Sequence, residues 1–341
     1  MSKVVYLMGA GASFGTRKNG TILSGIPIVS EIPSELRHWA NEITATEWGT
    51  HASYNPSDRK EMFNVDLNEA QTKLSNDLKW LANECENHST IDTYAKKLFL
   101  TDDIYNYRRL KRALAAFLLI EQVAHRADMR YDAFIANILN RKKEIPDDIT
   151  IVTWNYDSQF EIALSGFDVR FTNMGNSPIC LPVYSDKDHK DKYKIFKING
   201  SATFSDDRPL SSFCKSTEQN LSEKELKREI LWYYGHNTLK PDLSFAWDEE
   251  YSSSIYEILG EKVRTAATLV VIGYTFPYFN RETDRKFLSM MLNLRRIIIQ
   301  DPNAESIVSN VEAVFHDPRL SNNIEIKIEK HTDSFLIPRE L

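Results

Sequence analysis

Short runs of apolar, mostly β-branched residues recur along the chain and predict the strands of a buried sheet. Near-continuous apolar runs are typical of parallel strands that are covered on both faces. Four such runs occupy residues 4–8, 149–153, 269–273 and 297–301. A run that alternates in period two, at 324–328, predicts an edge strand. Two shorter strands are predicted at 179–184 and 193–198.

Helical periodicity separates the later strands. Apolar residues at intervals of three and four predict helices over 251–266, 281–294 and 304–315. Strands that alternate with helices imply right-handed crossovers and a mostly parallel sheet with helices on both faces. The predicted fold class is therefore α/β, with a Rossmann-like sheet.

A long segment between the first two sheet strands carries almost no strand signal. Helical spacing covers 35–43, 64–82 and 104–139. The last of these places an apolar stripe on Ile104, Tyr107, Leu110, Leu114, Phe117 and Leu118. We therefore predict a sheet domain formed by residues 1–30 and 147–341, and a large helical insertion at 31–146.

The composition is that of an ordinary globular protein. The chain has 341 residues, of which 42% are apolar and 26% charged, with 42 basic and 48 acidic side chains and a net charge of −6. A protein that binds nucleic acid usually carries a basic face. Because the net charge of this chain is negative, no direct nucleic-acid partner is expected. One local cluster, Arg108, Arg109, Lys111 and Arg112, is interpreted as a solvated helix face.

The three cysteines, Cys85, Cys180 and Cys214, form no C-x-x-C pair. A four-cysteine zinc module is therefore excluded by its ligand count, and no metal is expected. An odd, widely spaced set fits a reducing compartment. The N-terminus carries no signal peptide, and the longest apolar run, 113–120, is too short for a membrane span, so a cytoplasmic protein is expected.

The strongest local signal follows the first predicted strand. It comprises Gly9, Ala10, Gly11, Ala12 and Ser13, with a further glycine at position 15. Such glycines let a phosphate approach the main chain, and a following helix N-terminus offers free N–H groups. The segment predicts a strand–loop–helix that binds a dinucleotide pyrophosphate, with a tight turn of purely structural origin as the alternative. No Gly-Lys-Ser/Thr pattern is present, so a P-loop triphosphatase is not expected.

A second polar cluster follows the strand at 149–153. Ligands of open α/β sheets bind beyond the carboxyl ends of the strands, where Asn155 and Asp157 are expected. Asparagine can both donate to and accept from a ribose hydroxyl or a water, and aspartate can accept. The alternative is that the two residues cap a helix.

Four short motifs in this order resemble the sirtuin-like superfamily, especially the bacterial antiphage-defence branch that hydrolyses NAD. They are Gly9-Ala10-Gly11-Ala12-Ser13, Gly25-Ile26-Pro27, Thr153-Trp154-Asn155-Tyr156-Asp157 and Asn199-Gly200-Ser201. The late segment from Val271 to Phe276, followed by Asn280, Arg281 and Asp284, is similar to that branch as well. The resemblance spans the sheet domain but not the helical insertion.

The resemblance implies a role for each matched position. Asn155 would orient the water or the nicotinamide ribose, with Asp157 beside it. Asn199 would occupy the position of the family's catalytic histidine. Binding positions for NAD would be Gly9, Ala10, Gly11, Ala12, Ser13, Pro27, Gly200, Ser201, Gly273, Thr275 and Asp301.

Three departures bear on activity. The deacylases of this superfamily follow Gly-Ile-Pro with Asp-Phe-Arg, whereas Ile28, Val29 and Ser30 stand here, and they carry the zinc module that this chain lacks. Asn199 cannot take up a proton at neutral pH. Another histidine, with His236 as the first candidate, could serve instead, or it could simply be packed among its aromatic neighbours.

The sequence-based hypothesis is an NAD glycohydrolase that releases nicotinamide and ADP-ribose as a regulated effector of antiphage defence. NAD is then a substrate. The alternatives are a catalytically weak or inactive sensor of NAD or ADP-ribose, and an assembly subunit. A homo-oligomer is expected, and the resemblance allows a partner such as a ring ATPase or another defence component.

Overall fold

A seven-stranded sheet forms the centre of the computed structural model, which describes residues 3–54, 63–167, 180–182, 193–205, 222–247, 252–315 and 324–341. The strands of this sheet are β1 (Val4–Met8), β6 (Ile149–Thr153), β7 (Cys180–Pro182), β8 (Tyr193–Lys197), β11 (Thr268–Ile272), β12 (Arg296–Gln300) and β13 (Glu325–Glu329). Three two-stranded antiparallel sheets pair β2 (Arg17–Lys18) with β3 (Thr21–Ile22), β4 (His51–Tyr54) with β5 (Phe63–Asp66), and β9 (Gly200–Ser205) with β10 (Lys240–Leu243).

The helices of the described residues lie between these strands. They are α1 (Ile32–Ala45), α2 (Leu67–Asn87), α3 (Ile91–Leu100), α4 (Ile104–Ala124), α5 (Met129–Ile138), α6 (Gln159–Ser165), α7 (Glu223–Gly235), α8 (Ser252–Val263), α9 (Arg281–Ser289) and α10 (Ala304–Phe315). The helices predicted around 251–266, 281–294 and 304–315 are thus present. The strand predicted at 179–184 is seen at Cys180–Pro182, and its other residues lie outside the described part.

The sheet has the order β13-β12-β11-β1-β6-β8-β7, in which β7 alone is antiparallel to its neighbour. The six parallel strands therefore run outward from β1 in both directions, as in a doubly wound Rossmann-like sheet. The predicted α/β fold class is confirmed. The alternating run also lies at an edge, as β13.

Both faces of the sheet are covered, which explains the near-continuous apolar runs. On one face, residues such as Val5 and Leu7 of β1 pack against helices α8, α9 and α10. On the other face, Val4, Tyr6 and Met8 pack against α5, α6 and Phe335 near the C-terminus.

A separate apolar core joins helices α1–α4 to α7 and to the two-stranded β9–β10 sheet. The helical region between β1 and β6 thus shares its core with residues of β9, α7 and β10. Its last helix, α5, packs against the sheet instead. The predicted single helical stretch over 104–139 is wrong, because the chain turns at 125–128 and the Asp128 carboxylate caps α5 by accepting from the Arg130 amide.

The basic cluster on α4 is mostly engaged inside this helical unit rather than solvated. Arg109 donates from Nε to the buried carboxylate of Asp77 at 2.6 Å. The Arg112 guanidinium donates to the backbone carbonyls of Leu239 and Tyr234, near the end of α7. Buried donors of this kind hold elements together, so the solvated-face interpretation is wrong for these two arginines.

Across the described ranges, no helix combines the length and apolar character needed to cross a membrane.

Candidate functional site

The predicted site motifs meet at the carboxyl edge of the sheet. Residues 9–13, here called the glycine loop, follow β1, while Asn155 follows β6 and Gly273 follows β11. Because β6 and β11 flank β1 on opposite sides, the strand order reverses at this point. Open α/β sheets bind ligands in the crevice at such a switch point.

The glycine loop forms one 3₁₀ turn, Ala10–Ser13, instead of leading into an α-helix. The first α-helix begins only at Ile32, so the predicted strand–loop–helix is wrong. Gly15 follows this turn with a φ of 67°, which does not continue a helix, and a Cβ there would lie 2.1 Å from the Ser24 carbonyl oxygen. The chain then turns into the β2–β3 hairpin.

Close backbone packing accounts for the loop glycines. A Cβ on Gly11 would lie 2.7 Å from the Cα of Gly273, and one on Gly9 would lie 2.6 Å from the Gly273 carbonyl oxygen. The Gly9 and Gly11 amides donate to the carbonyls of Ile272 and Gly273. These glycines therefore have a structural role, as the alternative interpretation of a tight turn predicts. The Ala10 amide takes part in none of the described hydrogen bonds, and the Ala10 side chain is exposed.

Asn155 ties the end of β6 to the glycine loop. Its Nδ2 donates to the Gly9 carbonyl at 2.8 Å and to the Ser13 hydroxyl at 3.0 Å. The Ser13 hydroxyl also shares a hydrogen bond of 2.8 Å with the phenol of Tyr131. The Oδ1 of Asn155 is used in none of the described hydrogen bonds, which leaves it able to accept from a hydroxyl or a water.

Asp157 has one carboxylate oxygen engaged and one without a partner. Its Oδ1 accepts at 2.9 Å from the amide of Gln159, the first residue of α6, and so satisfies one N-terminal donor of this helix, although the N-cap position itself is Ser158. Its Oδ2 is buried with no hydrogen-bond partner among the described residues. Burial raises the pKa of Asp157, and the positive charge of Lys197 opposes the rise.

A buried lysine that the sequence analysis did not single out supports this edge. Lys197 ends β8, and its Nζ donates to Glu161 Oε1 at 2.7 Å and to Ser201 Oγ at 3.0 Å. It also donates to the backbone carbonyl of Asp157. The side chains of Lys197 and Glu161 are only 2% and 9% exposed. The lysine thereby joins the third and fourth motifs, and its position inside an apolar strand was the available signal.

The fourth motif lies beside the third. Asn199 donates from Nδ2 to the Trp154 carbonyl at 3.5 Å, and its Oδ1 is buried without a described partner. Gly200 has a φ of 79°, and a Cβ there would lie 1.9 Å from the Asp242 carbonyl oxygen. This close approach between β9 and β10 gives Gly200 a structural role.

The remaining predicted binding residues occupy neighbouring loops. Thr275 is exposed, and its carbonyl accepts from Asn310 at 2.9 Å. Asp301 follows β12 and accepts from the Asn303 amide at 2.8 Å. Pro27 is buried in the loop before α1. The amide of the preceding residue, Ile26, donates to the Ser13 carbonyl at 2.8 Å.

Residues 121–130, here called the connecting segment, contact the first two motifs and a residue just beyond the third. Arg130 donates from Nη2 to the Ala12 carbonyl at 3.0 Å, and the Arg126 carbonyl accepts from the Gly25 amide at 2.8 Å. Gln122 accepts from Gln159 at 3.1 Å, two residues after Asp157. Most of these contacts involve backbone groups, so no residue pattern in the sequence predicts them.

His236 is placed in the helical unit. It ends α7, its ring packs on Trp232 with centroids 5.1 Å apart, and its Nδ1 shares a hydrogen bond of 3.0 Å with Thr238. Its carbonyl accepts from Arg112. These contacts agree with the packed role rather than with the role of a base.

Two comparisons with known proteins gave no match, since neither a protein-family model nor a curated protein aligned significantly with the chain. In the described residues, no group of three or more His, Cys, Asp or Glu side chains is arranged to hold a metal ion.

Proposed function

We propose that the protein is an NAD glycohydrolase, which cleaves NAD into nicotinamide and ADP-ribose. The observation that carries the proposal is the placement of Asn155. This residue lies at the switch point of a Rossmann-like sheet, held between the Gly9 carbonyl and the Ser13 hydroxyl. The convergence of the four sirtuin-like motifs on one edge of the sheet supports it.

Each part of NAD is assigned to one part of this edge. The pyrophosphate goes to the glycine loop, where the Ala10 amide has no described acceptor. The nicotinamide ribose goes to Asn155, whose Oδ1 can accept from a ribose hydroxyl or from the attacking water. The adenosine side goes to the loops that contain Gly273, Thr275 and Asp301.

The protein does not have to protonate the leaving group. The nicotinamide of NAD is cationic while bound to C1′ and departs as a neutral molecule, so its departure needs no proton. The protein then has to position a water and stabilise an oxocarbenium-like centre. Asp157 lies two residues beyond Asn155 and is assigned to fix that part of the loop.

Release of nicotinamide by the purified protein tests the proposal. Chromatography should show nicotinamide formation by the wild type and a loss of about a hundredfold or more in Asn155→Ala. The exposed Asn83→Ala on α2 is the matched control and should retain full activity. Absence of nicotinamide release, with the protein alone and at concentrations that favour self-association, would contradict the enzyme proposal.

One observation favours a second candidate, a sensor that binds NAD or ADP-ribose without cleaving it. The position of the family's histidine is occupied by Asn199, whose side chain is buried and cannot accept a proton. A sensor would retain nucleotide binding in calorimetry without turnover.

The biological setting forms part of the proposal. Uncontrolled NAD cleavage would be toxic to the producing cell, so we place the protein in the cytoplasm as a regulated effector of antiviral defence. We propose a homo-oligomer, with a partner such as a ring ATPase or another defence component as the source of regulation.

A further inference from the structure

The orientation of the Asn155 side chain depends on a residue that belongs to none of the four motifs. We infer that Tyr131, on α5 of the helical insertion, is a positioning residue for NAD hydrolysis. Its phenol holds the Ser13 hydroxyl, which in turn holds the Asn155 amide with Oδ1 left for the ligand. This inference rests on the proposed NAD glycohydrolase activity and gives the insertion a part in it.

Two contacts fix the side-chain amide of Asn155. Its Nδ2 lies 2.8 Å from the Gly9 carbonyl oxygen and 3.0 Å from the Ser13 hydroxyl oxygen. A carbonyl can only accept, so the amide cannot flip without placing its own oxygen against the oxygen of Gly9. The amide nitrogen is therefore committed to the glycine loop, and Oδ1 is the atom that can accept from a ribose hydroxyl or a water.

The second of these contacts depends on Tyr131. Ser13 is fully buried, and its hydroxyl oxygen lies 2.8 Å from the phenolic oxygen of Tyr131, the usual separation for a hydrogen bond between hydroxyls. A serine side chain can adopt several rotamers, and the bond to the phenol favours the rotamer in which Oγ also accepts from Asn155. The Ser13 hydroxyl thereby links Tyr131 to Asn155.

Aromatic packing makes the Tyr131 ring a rigid support. The ring packs edge-to-face against Phe160 of α6, with centroids 4.7 Å apart, and against Phe335, with centroids 5.0 Å apart. Aromatic pairs of this geometry are favourable, and Tyr131 is only 1% exposed. Because neighbouring rings hold it in place, the phenol defines a fixed point for the Ser13 hydroxyl.

The phenol also stays in its neutral form. Burial raises the pKa of Tyr131 well above its ordinary value, and the negative charge of Asp157 adds to the rise, while the hydrogen bond with Ser13 opposes it. Tyr131 therefore keeps its proton over the pH range of an assay and cannot serve as a base. Since its burial shields it from the ligand, it acts through Ser13 and Asn155.

Steady-state kinetics of the full chain, followed as nicotinamide release, test the inference. Tyr131→Phe removes the phenolic oxygen and keeps the ring that packs on Phe160 and Phe335. A misplaced Asn155 lowers the rate of the chemical step more than it weakens substrate binding. The kcat should therefore fall about tenfold or more while KM stays within about twofold of the wild-type value.

Tyr6→Phe is the matched control. Tyr6 is fully buried in the same apolar core, and its phenol donates to the Leu336 carbonyl at 3.1 Å. Both variants lose a phenol hydrogen bond, so similar falls in melting temperature are expected, but only Tyr131→Phe loses the contact with Ser13. Tyr6→Phe should keep the wild-type kcat. Equal losses of kcat in the two variants would show that Tyr131 has a structural role only and would overturn the inference.

A double-mutant cycle with Ser13→Ala tests the link itself. Once Ser13 is replaced, the phenol no longer holds a group that contacts Asn155, so adding Tyr131→Phe should cause no further fall in kcat. Losses that multiply in the double variant would contradict the link. Wild-type kcat in Tyr131→Phe would overturn the inference and leave the NAD glycohydrolase proposal intact. A wild type that releases no nicotinamide would overturn both.

Discussion

The side-chain amide of Asn155 donates to the backbone carbonyl of Gly9 at 2.8 Å, which joins the end of β6 to the loop after β1. The same amide nitrogen donates to Ser13, so Asn155 holds the glycine loop in place, and under our proposal it also meets the nicotinamide ribose. A residue with both roles couples the shape of the predicted pyrophosphate site to the position of the predicted ribose site.

Asn155→Ala should therefore destabilise the fold as well as abolish activity. Its removal leaves the buried Gly9 carbonyl and the Ser13 hydroxyl without this donor, and the free energy of unfolding should fall by about 1–3 kcal/mol. Urea denaturation measures the change, with Asn83→Ala as the surface control. An unchanged unfolding free energy would show that the amide does not hold the loop.

Gly11→Val should act through folding before it acts on the ligand. The new Cβ would lie 2.7 Å from the Cα of Gly273, where only backbone can give way. Overpacking of this kind costs about 1–3 kcal/mol. The melting temperature should drop in the absence of nucleotide, and a wild-type melting temperature would contradict the close packing of these two loops.

Ala10 is the better position for probing the pyrophosphate. Its side chain is exposed, so Ala10→Glu should leave the unfolding free energy unchanged. A carboxylate within about 4 Å of a phosphate is repelled by roughly 1–4 kcal/mol, which predicts at least about a tenfold weaker affinity for NAD in calorimetry. Ala10→Gln is the uncharged control and should bind more tightly than Ala10→Glu. Equal affinities for the two variants would show that the pyrophosphate does not bind at this loop.

Lys197→Met should strongly destabilise the carboxyl edge of the sheet. It leaves the buried Glu161 carboxylate without its cation, a change that costs about 3–5 kcal/mol. Adding Glu161→Gln should recover most of that loss in urea denaturation, because the pair is then neutral. A double variant as unstable as the single one would show that the ion pair is not the reason for the loss.

Asp284→Asn should change how stability depends on pH. Burial raises the pKa of Asp284 well above its usual value, and the hydrogen bond from Tyr274 opposes the rise. A raised pKa in the folded state means that stability is lost as the pH rises from the unfolded-state value towards the folded-state value. The wild type should therefore lose more stability than Asp284→Asn between acidic and neutral pH, with Glu282→Gln on the same helix as the control. Parallel stability profiles for the wild type and Asp284→Asn would contradict this sign.

The sheet could be predicted because both of its faces are buried, which gives β1 and β6 near-continuous apolar runs. The helix at Ala304–Phe315 was predicted to its last residue from its regular apolar spacing. The 3₁₀ turn after Gly9 could not be predicted, because a glycine such as Gly15 does not reveal in the sequence the sign of its φ or the loop that packs against it.

The contacts that support the candidate site could not be predicted from the sequence. Lys197 and Glu161 are 36 residues apart and meet only in the folded chain. The contact between Arg126 and Gly25 is made by backbone groups, which every sequence possesses.

Mass spectrometry of the products formed from NAD in water enriched with heavy oxygen tests the NAD glycohydrolase proposal most directly. The proposal predicts equal amounts of nicotinamide and ADP-ribose, with one heavy oxygen at C1′ of the ADP-ribose. Intact NAD after incubation with dilute and with self-associating protein, or ADP-ribose without the heavy oxygen, would contradict it.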